Sequence, residues 1–135
     1  KQKPAYEIKE CDWSSDVCSS DLDILSDEAS EISGSLGLAA STMAGDDACC
    51  AQAQHGAAPD IAGQDKANPT SLLLSAGMLL DWMGDRHKRR EFNDAARLLE
   101  KTVDAALQKP ETRTPDIGGK IGTQAFAKHI ADTIK

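Results

Sequence analysis

The 135-residue chain has few aromatic residues and no excess of basic ones. Aromatic residues make up 4% of it, and 22 acidic residues against 15 basic ones give a net charge of −7. This balance excludes a general nucleic-acid binder, which would need a basic face. The basic run at 86–90 has no interleaved aromatic residues, a pattern typical of a solvated helix end. We therefore expect no nucleic acid among the partners.

Long hydrophobic runs are also lacking. The longest, at 72–80, is interrupted by Ser75 and Gly77 and is far shorter than the roughly 20 apolar residues of a membrane-spanning helix. The N-terminus has no apolar segment behind a basic start, as a secretory signal would have. We therefore expect a soluble protein with no membrane partner.

Cysteine is scarce, and its four positions are too poorly spaced for a zinc site: Cys11, Cys18, Cys49 and Cys50. A disulfide between the adjacent residues Cys49 and Cys50 would close a strained ring. Reduced thiols are typical of the cell interior, so we expect a cytoplasmic protein. The chain length allows one core of moderate size, and a 40% hydrophobic content is typical of a folded protein.

Residues 1–22, KQKPAYEIKECDWSSDVCSSDL, show neither a helical nor an alternating hydrophobic period. Residues 12–22 resemble the conceptual translation of a common short-read sequencing adapter. Residues 1–8 resemble the other end of the same oligonucleotide, from which Pro4 departs by one base, and residues 9–11 would span its variable index. We interpret residues 1–22 as an adapter artefact without ordered structure or evolved function. Residues 23–135 are then the C-terminal fragment of a longer protein.

Residues 23–34 begin with acids and end at Gly34, which predicts a short helix. Asp23 and Asp27 are four residues apart, so their carboxylates would share one helix face about 6 Å apart. Two such oxygens suit an octahedral Mg²⁺ or Mn²⁺ ion. Acids in a first helical turn are also common as solvated residues that the helix dipole favours. The spacing leaves both interpretations open.

The middle of the chain predicts a loop of small residues, a buried strand within DDACCAQAQ (46–54) and a second loop at 55–69. Asn68 followed by Pro69 is typical of a helix start. The helix at 69–84 is apolar nearly all round, which predicts packing within a layered core, and it should end at Gly84.

Two further helices are predicted at 87–108 and 123–134, separated by a turn at TPDIGGK (114–120). The first is amphipathic, with an apolar stripe formed by Phe92, Leu99, Val103 and Leu107. The chain contains no dinucleotide fingerprint, phosphate-binding loop, nucleophile elbow or HExxH motif. Pattern alone indicates an α/β fragment with a candidate cation site.

Three stretches resemble the isocitrate and isopropylmalate dehydrogenase family of oxidative decarboxylases. They are DILSDEASEISGSLG (23–37), HGAAPDIAGQDKANPTSLLLSAGMLLDWMG (55–84) and RTPDIGGKIGTQAF (113–126). The resemblance covers nearly all of residues 23–135 and is to the last third of the family's sequences. It implies a fragment of an α/β/α two-domain fold, from a parent protein that forms a homodimer or a higher oligomer.

The resemblance implies metal ligation by Asp23 and Asp27. In this family a divalent ion, Mg²⁺ or Mn²⁺, lies on the substrate's 2-hydroxyl and an adjacent carboxylate. It polarises the bond during oxidation and stabilises the enolate oxygen after decarboxylation. The two aspartates would act as ligands and not as bases.

The resemblance also implies a cofactor loop at His55, Gly56, Ala57, Ala58, Asp60, Ile61 and Asn68. His55, Ile61 and Asn68 would lie near the adenine, and residues 56–58 would allow close approach of the backbone. The Asp60 carboxylate would accept hydrogen bonds from the ribose hydroxyls and repel the 2′-phosphate of NADP. We therefore expect NAD as the cofactor.

Substrate choice depends on residues that the family carries upstream. Its catalytic Tyr and Lys and its carboxylate-binding arginines have no counterpart here, so we expect the chain alone to be inactive. The sequences of QDKANPTSLLLSAGMLL (64–80) and of the RTPDIGG tail are more similar to those of NAD-dependent isocitrate dehydrogenases than to those of isopropylmalate enzymes. Isopropylmalate or tartrate is the alternative substrate, and a non-catalytic regulatory subunit is the alternative function.

Overall fold

The structure is a computed structural model that describes residues 28, 30, 32 and 34–134. Residues 1–22, interpreted as adapter sequence, lie outside the described residues, as do the predicted metal ligands Asp23 and Asp27. Residues 28, 30 and 32 are helical, within the segment predicted as a helix at 23–34. Gly34 follows with a φ of 121°, a conformation that glycine adopts without strain.

A two-stranded antiparallel sheet comes next in the chain. Strand β1 (Ala40–Ala44) pairs with β2 (Cys49–Ala53), with Ala40 opposite Ala53 and Ala44 opposite Cys49. The Gly45 N–H donates to the Ala48 carbonyl at 2.8 Å and closes the hairpin turn.

The hairpin corrects two predictions from the sequence. The predicted loop of small residues contains β1. Apolar and polar residues do not alternate along this strand, and its extended form depends on pairing with β2. The strand predicted within residues 46–54 exists, but it is not buried on both faces. Cys50 and Gln52 are exposed and their neighbours are half-buried, because only one face of the hairpin is covered.

Helix α1 (Thr70–His87) packs on the hairpin through two buried serines one turn apart, Ser71 and Ser75. The Ser75 hydroxyl accepts from the Ser41 N–H at 3.0 Å, and its one proton is within reach of the Gln52 carbonyl at 2.7 Å and the Ser71 carbonyl at 2.8 Å. The Ser71 hydroxyl donates to the Ala39 carbonyl and accepts from the Gln54 N–H at 3.3 Å. The serines therefore hydrogen-bond to the backbone of both strands or their flanking residues and fix the helix on the sheet.

Helix α1 is less completely buried than its sequence predicts. Leu72 and Met78 are 57% and 44% exposed. The buried positions are polar or small: Thr70, Ser71, Ser75, Gly77 and Gly84. The prediction of burial all round was wrong. Where the backbone of α1 packs closely on its neighbours, small side chains are required, and the hydrophobicity of the other side chains does not show that they are buried.

The end of α1 also differs from the prediction. The helix continues past Gly84 to His87 and ends at Lys88, which adopts the left-handed conformation with a φ of 56°. Gly84 serves the packing of α1 on α2 (Arg90–Gln108), since a methyl group there would overlap the side chain of Asn93. Asn93 Nδ2 donates to the Asp81 carboxylate at 2.7 Å and so holds the two helices together.

The core lies between α2 and helix α3 (Thr123–Thr133). Its buried centre consists of Val103, Ala106, Phe126 and Ile130, with partly buried leucines of α1 and α2 packed against it. The α2 stripe predicted from the sequence supplies Val103, Leu99 and Leu107. No helix in the described part of the chain is long and apolar enough to cross a membrane.

We predict that Ser75→Ala lowers the free energy of unfolding by about 1–3 kcal/mol, because the Ser41 N–H loses its acceptor and the fully buried hydroxyl no longer donates to the Gln52 or Ser71 carbonyl. Urea denaturation measures the loss. Thr133→Ala is the matched control, because that hydroxyl bonds only its own helix, to the His129 carbonyl, at an exposed position. Equal unfolding midpoints for the two variants would contradict the role given to Ser75.

Candidate functional site

One cavity of about 680 Å³ gathers six of the seven residues predicted to bind a cofactor. They are His55, Gly56, Ala57, Ala58, Ile61 and Asn68. The rest of the wall is formed by Gly37, by the loop residues Ala62, Gly63, Asp65, Lys66 and Ala67, and by Thr123 and Gln124 of α3. A second cavity of about 430 Å³, between β1, α1 and α2, contains none of the predicted residues.

The seventh residue, Asp60, lies in the same loop but does not line the cavity. It occupies a single 3₁₀ turn, Pro59–Ile61, which begins after Ala58 in the left-handed conformation with a φ of 43°. A positive φ at a residue other than glycine is uncommon and is often found at ligand sites. Asp60 is exposed, and its carboxylate accepts no hydrogen bond from the described residues, whereas its backbone carbonyl accepts one from Gln64 Nε2 at 2.7 Å.

Asn68 closes the loop at the start of α1. Only 7% of it is exposed. Its Oδ1 accepts from the Thr70 N–H at 3.0 Å, which satisfies a free amide of the first helical turn, as the Asn-Pro pair predicts. Its Nδ2 donates to Asp116 Oδ2 at 2.9 Å. A methyl group at Gly37 would lie 2.8 Å from the Asn68 Cβ, so the glycine allows this close approach.

Asp116 belongs to a second 3₁₀ turn, Pro115–Ile117, with the same tripeptide as the cofactor-loop turn. Its carboxylate accepts from Ser35 Oγ at 2.8 Å and from Thr114 Oγ1 at 2.5 Å, in addition to Asn68. Partial burial would raise the pKa of Asp116, but the hydrogen bonds from Thr114, Asn68, Ser35 and its own backbone N–H outweigh it. The pKa therefore lies below its ordinary value.

Sequence reasoning missed Asp116, because TPDIGGK (114–120) predicts a turn and nothing in the local pattern shows its contact with Asn68. The two residues are 48 positions apart. The repeated Pro-Asp-Ile tripeptide is the one local signal that links the two turns.

A further anchor joins the loop to α3. Asp65, with a φ of 54°, accepts from the Thr123 N–H through its backbone carbonyl at 3.2 Å and from the Gln124 N–H through its carboxylate at 2.9 Å. A carboxylate at a helix N-terminus is favoured by the free amides and by the helix dipole. A methyl group at Gly122 would overlap the Asp65 carboxylate, so this contact requires glycine.

The cavity lining offers polar groups at which a ligand could bind. His55 is exposed, with Nδ1 3.1 Å from the Gly56 carbonyl. In the part of the chain that the structure describes, no three His, Cys, Asp or Glu residues are grouped so that they could hold a metal ion. Asp23 and Asp27 lie outside that part, so their predicted ligation stays a prediction.

Comparison with known proteins identifies the family. The model of the isocitrate/isopropylmalate dehydrogenase family matches residues 20–134. The chain belongs to this family. It is 44% identical over 113 residues to the isocitrate/homoisocitrate dehydrogenase of Thermus thermophilus and 41% identical over 108 residues to the 3-isopropylmalate dehydrogenase of Sulfurisphaera tokodaii. These matches cover 84% and 80% of this chain and 31% and 32% of the relatives, so the chain spans about a third of their length.

Solved structures of the family share the fold. The chain is similar to the isocitrate dehydrogenase of Methylococcus capsulatus, with a TM-score of 0.72 and 36% identity, over 83% of this chain and 32% of that one. The β-decarboxylating dehydrogenase of Thermococcus kodakarensis, in its apo form, gives a TM-score of 0.69 and 37% identity, over 83% and 31% of the two chains. The predicted fold class, an α/β fragment of this family's fold, is therefore confirmed.

We predict that the contribution of Asp116 to the stability of this family member is lost in acid. Because the pKa of Asp116 is lower in the folded than in the unfolded chain, its ionisation stabilises the fold above the unfolded-state pKa of roughly 3.9, and that stabilisation is lost as the pH falls through the folded pKa. Urea midpoints measured from pH 6 downward should fall more steeply for the wild type than for Asp116→Asn. Parallel pH profiles would contradict the shift.

Proposed function

We propose that the chain is the cofactor-binding C-terminal part of an NAD-dependent, divalent-metal-dependent oxidative decarboxylase of a 2-hydroxy acid. The proposal is carried by the convergence of six predicted cofactor residues on one cavity, in a chain that belongs to the dehydrogenase family. A bound nicotinamide would supply the hydride acceptor for oxidation of the substrate's 2-hydroxyl to a ketone. The resulting 3-carboxy ketone then loses CO₂ and leaves an enolate.

The cavity has the composition that a nucleotide requires. Residues 56–58 carry no side chain larger than a methyl group, so a ligand can approach their backbone closely. Ile61 offers an apolar contact for a base, and Asn68 offers amide donor and acceptor atoms. A mostly apolar cleft with a few oriented polar groups is typical of cofactor sites.

Asp60 supports NAD over NADP. Its carboxylate is exposed between Ala58 and Ile61, which both line the cavity, and it accepts no hydrogen bond from the described residues. It can therefore accept from both ribose hydroxyls. Against a 2′-phosphate at about 4 Å, one charge pair would cost roughly 4 kcal/mol at an effective dielectric constant near 20.

We assign the divalent ion, Mg²⁺ or Mn²⁺, to Asp23 and Asp27, supported by their spacing of four residues and by the family resemblance. When bound, the ion would polarise the substrate hydroxyl and stabilise the enolate oxygen. The carboxylates would serve as its ligands.

We favour isocitrate as the substrate because the sequences of residues 64–80 and of the RTPDIGG tail are more similar to those of isocitrate dehydrogenases. One relative, 44% identical over 109 residues, is the mitochondrial NAD isocitrate dehydrogenase subunit 2 of Saccharomyces cerevisiae. Relatives named as 3-isopropylmalate dehydrogenases make isopropylmalate the alternative. We further propose, from the family resemblance, that the parent protein is a homodimer or a higher oligomer. We also propose that it is cytoplasmic, since Cys49 and Cys50 are free thiols.

We predict that the chain binds NAD more tightly than NADP and that Asp60→Ser narrows this preference by about tenfold, less than the full Coulomb energy because the pair is exposed and screened by salt. Isothermal titration calorimetry with each dinucleotide measures the two dissociation constants. Asp46→Ser is the matched control, because it removes the same charge from an exposed position that does not line the cavity. A wild-type preference for NADP would contradict the role of Asp60.

We also predict that Asp27→Asn, in the protein extended to the full length of its family, weakens Mn²⁺ binding by about a hundredfold or more, since loss of a ligand should cost at least as much as loss of its supporting partners. Electron paramagnetic resonance of free Mn²⁺ measures the binding, and turnover of isocitrate and 3-isopropylmalate is followed in parallel. Glu28→Gln, at the adjacent exposed acid, is the control. Full activity of Asp27→Asn without added cation would remove the assignment.

A further inference from the structure

Asn68 has only half of its hydrogen-bonding capacity engaged. A side-chain amide offers two N–H donors and two lone pairs on its oxygen. One donor binds Asp116 Oδ2 at 2.9 Å and one lone pair accepts from the Thr70 N–H at 3.0 Å. One N–H and one lone pair are left on a side chain that lines the cavity.

The two contacts allow a single orientation of the amide. If its oxygen and nitrogen were exchanged, the oxygen would face the Asp116 carboxylate and the NH₂ group would face the Thr70 N–H. Both contacts would then be repulsive, and at Thr70, which is fully buried, water could not compensate. The orientation therefore follows from these neighbours.

Asp116 is itself held in place and kept ionised. Thr114, fully buried, donates to its Oδ1, and Ser35 donates to the same Oδ2 that Asn68 contacts. A hydrogen bond to an ionised acceptor is stronger than one between neutral groups. Of the two contacts that orient Asn68, the one to Asp116 is therefore the stronger.

We propose that Asp116 is a positioning residue that makes the cavity selective for adenine, by holding Asn68 with one N–H and one lone pair available to the base. Adenine presents a donor at N6 beside an acceptor at N7, and an asparagine amide in this orientation matches both. Hypoxanthine carries an oxygen at the same ring position, which would meet the amide oxygen. The inference rests on the proposed nucleotide-binding function and names the group that sets its base preference.

The test compares the binding of NAD and of nicotinamide hypoxanthine dinucleotide to the intact 135-residue chain by calorimetry. Asp116→Ala should weaken NAD binding by about tenfold, the size of one charge-assisted hydrogen bond, and change binding of the hypoxanthine analogue less than about twofold. Asp116→Asn should recover part of the NAD affinity, since its amide oxygen still accepts from Asn68 Nδ2. In an Asn68→Ala background, Asp116→Ala should cause no further loss.

Thr114→Val is the matched control. It removes a hydrogen bond from the other carboxylate oxygen of Asp116 and leaves Asn68 untouched, so it should lower stability without changing the preference between bases. Circular dichroism establishes that each variant is folded at the titration temperature. If Asp116→Ala does not fold, Asp116→Asn replaces it as the test variant. It should lower the affinity for NAD by about threefold and leave the affinity for the hypoxanthine analogue unchanged.

The outcomes separate this inference from the proposed function. Wild-type chain that binds neither dinucleotide would overturn both. Wild-type binding of NAD, combined with equal losses for both dinucleotides or with additive losses in the Asn68→Ala background, would overturn the positioning role alone. Unchanged NAD affinity in folded Asp116→Ala or Asp116→Asn would do the same.

Discussion

The cavity depends on the side chain of Asn68, which joins segments that are far apart in the chain. Its oxygen bonds the first turn of α1 and its nitrogen bonds the turn that contains Asp116. Gly37 packs against its Cβ, which brings the segment before β1 to the same point. A small polar residue at a helix start therefore does more than cap the helix, because it sets how three segments meet.

The loop at 55–69 has three backbone hydrogen bonds of its own, all at residues 58–64, and its C-terminal end is held by contacts from outside the loop. It contains one 3₁₀ turn, and it places Ala58 and Asp65 at positive φ. Such conformations cost free energy and persist where neighbouring groups hold them. Asp65 on the N-terminus of α3 and Asn68 on Asp116 supply that support at the C-terminal end of the loop. A loop held in this way loses less entropy when a ligand binds.

Local signals in the sequence predicted what depends on local physics. The periodicity of α2 and the Asn-Pro start of α1 depend on neighbours within a few residues, and both indicated the helices to within a few residues of their bounds. Strand β1 could not be predicted, because its pairing with β2 and its bonds to Ser75 are long-range. Gly84 was misjudged for the same reason: its constraint is the side chain of Asn93 on the next helix. The contact of Asp116 with Asn68 has no local signature at all.

Three aspartates in the two turns and the loop illustrate why residue type alone does not define a binding role. The carboxylates of Asp65 and Asp116 accept hydrogen bonds from protein donors, a helix N-terminus in one case and three side chains in the other. Both carboxylates help to hold the loop, Asp65 through the N-terminus of α3 and Asp116 through Asn68. The Asp60 carboxylate has no such donor among the described residues and stands exposed beside the cavity. Under the proposed function, the Asp60 carboxylate would accept hydrogen bonds from the ribose hydroxyls, while the other two acids shape the site.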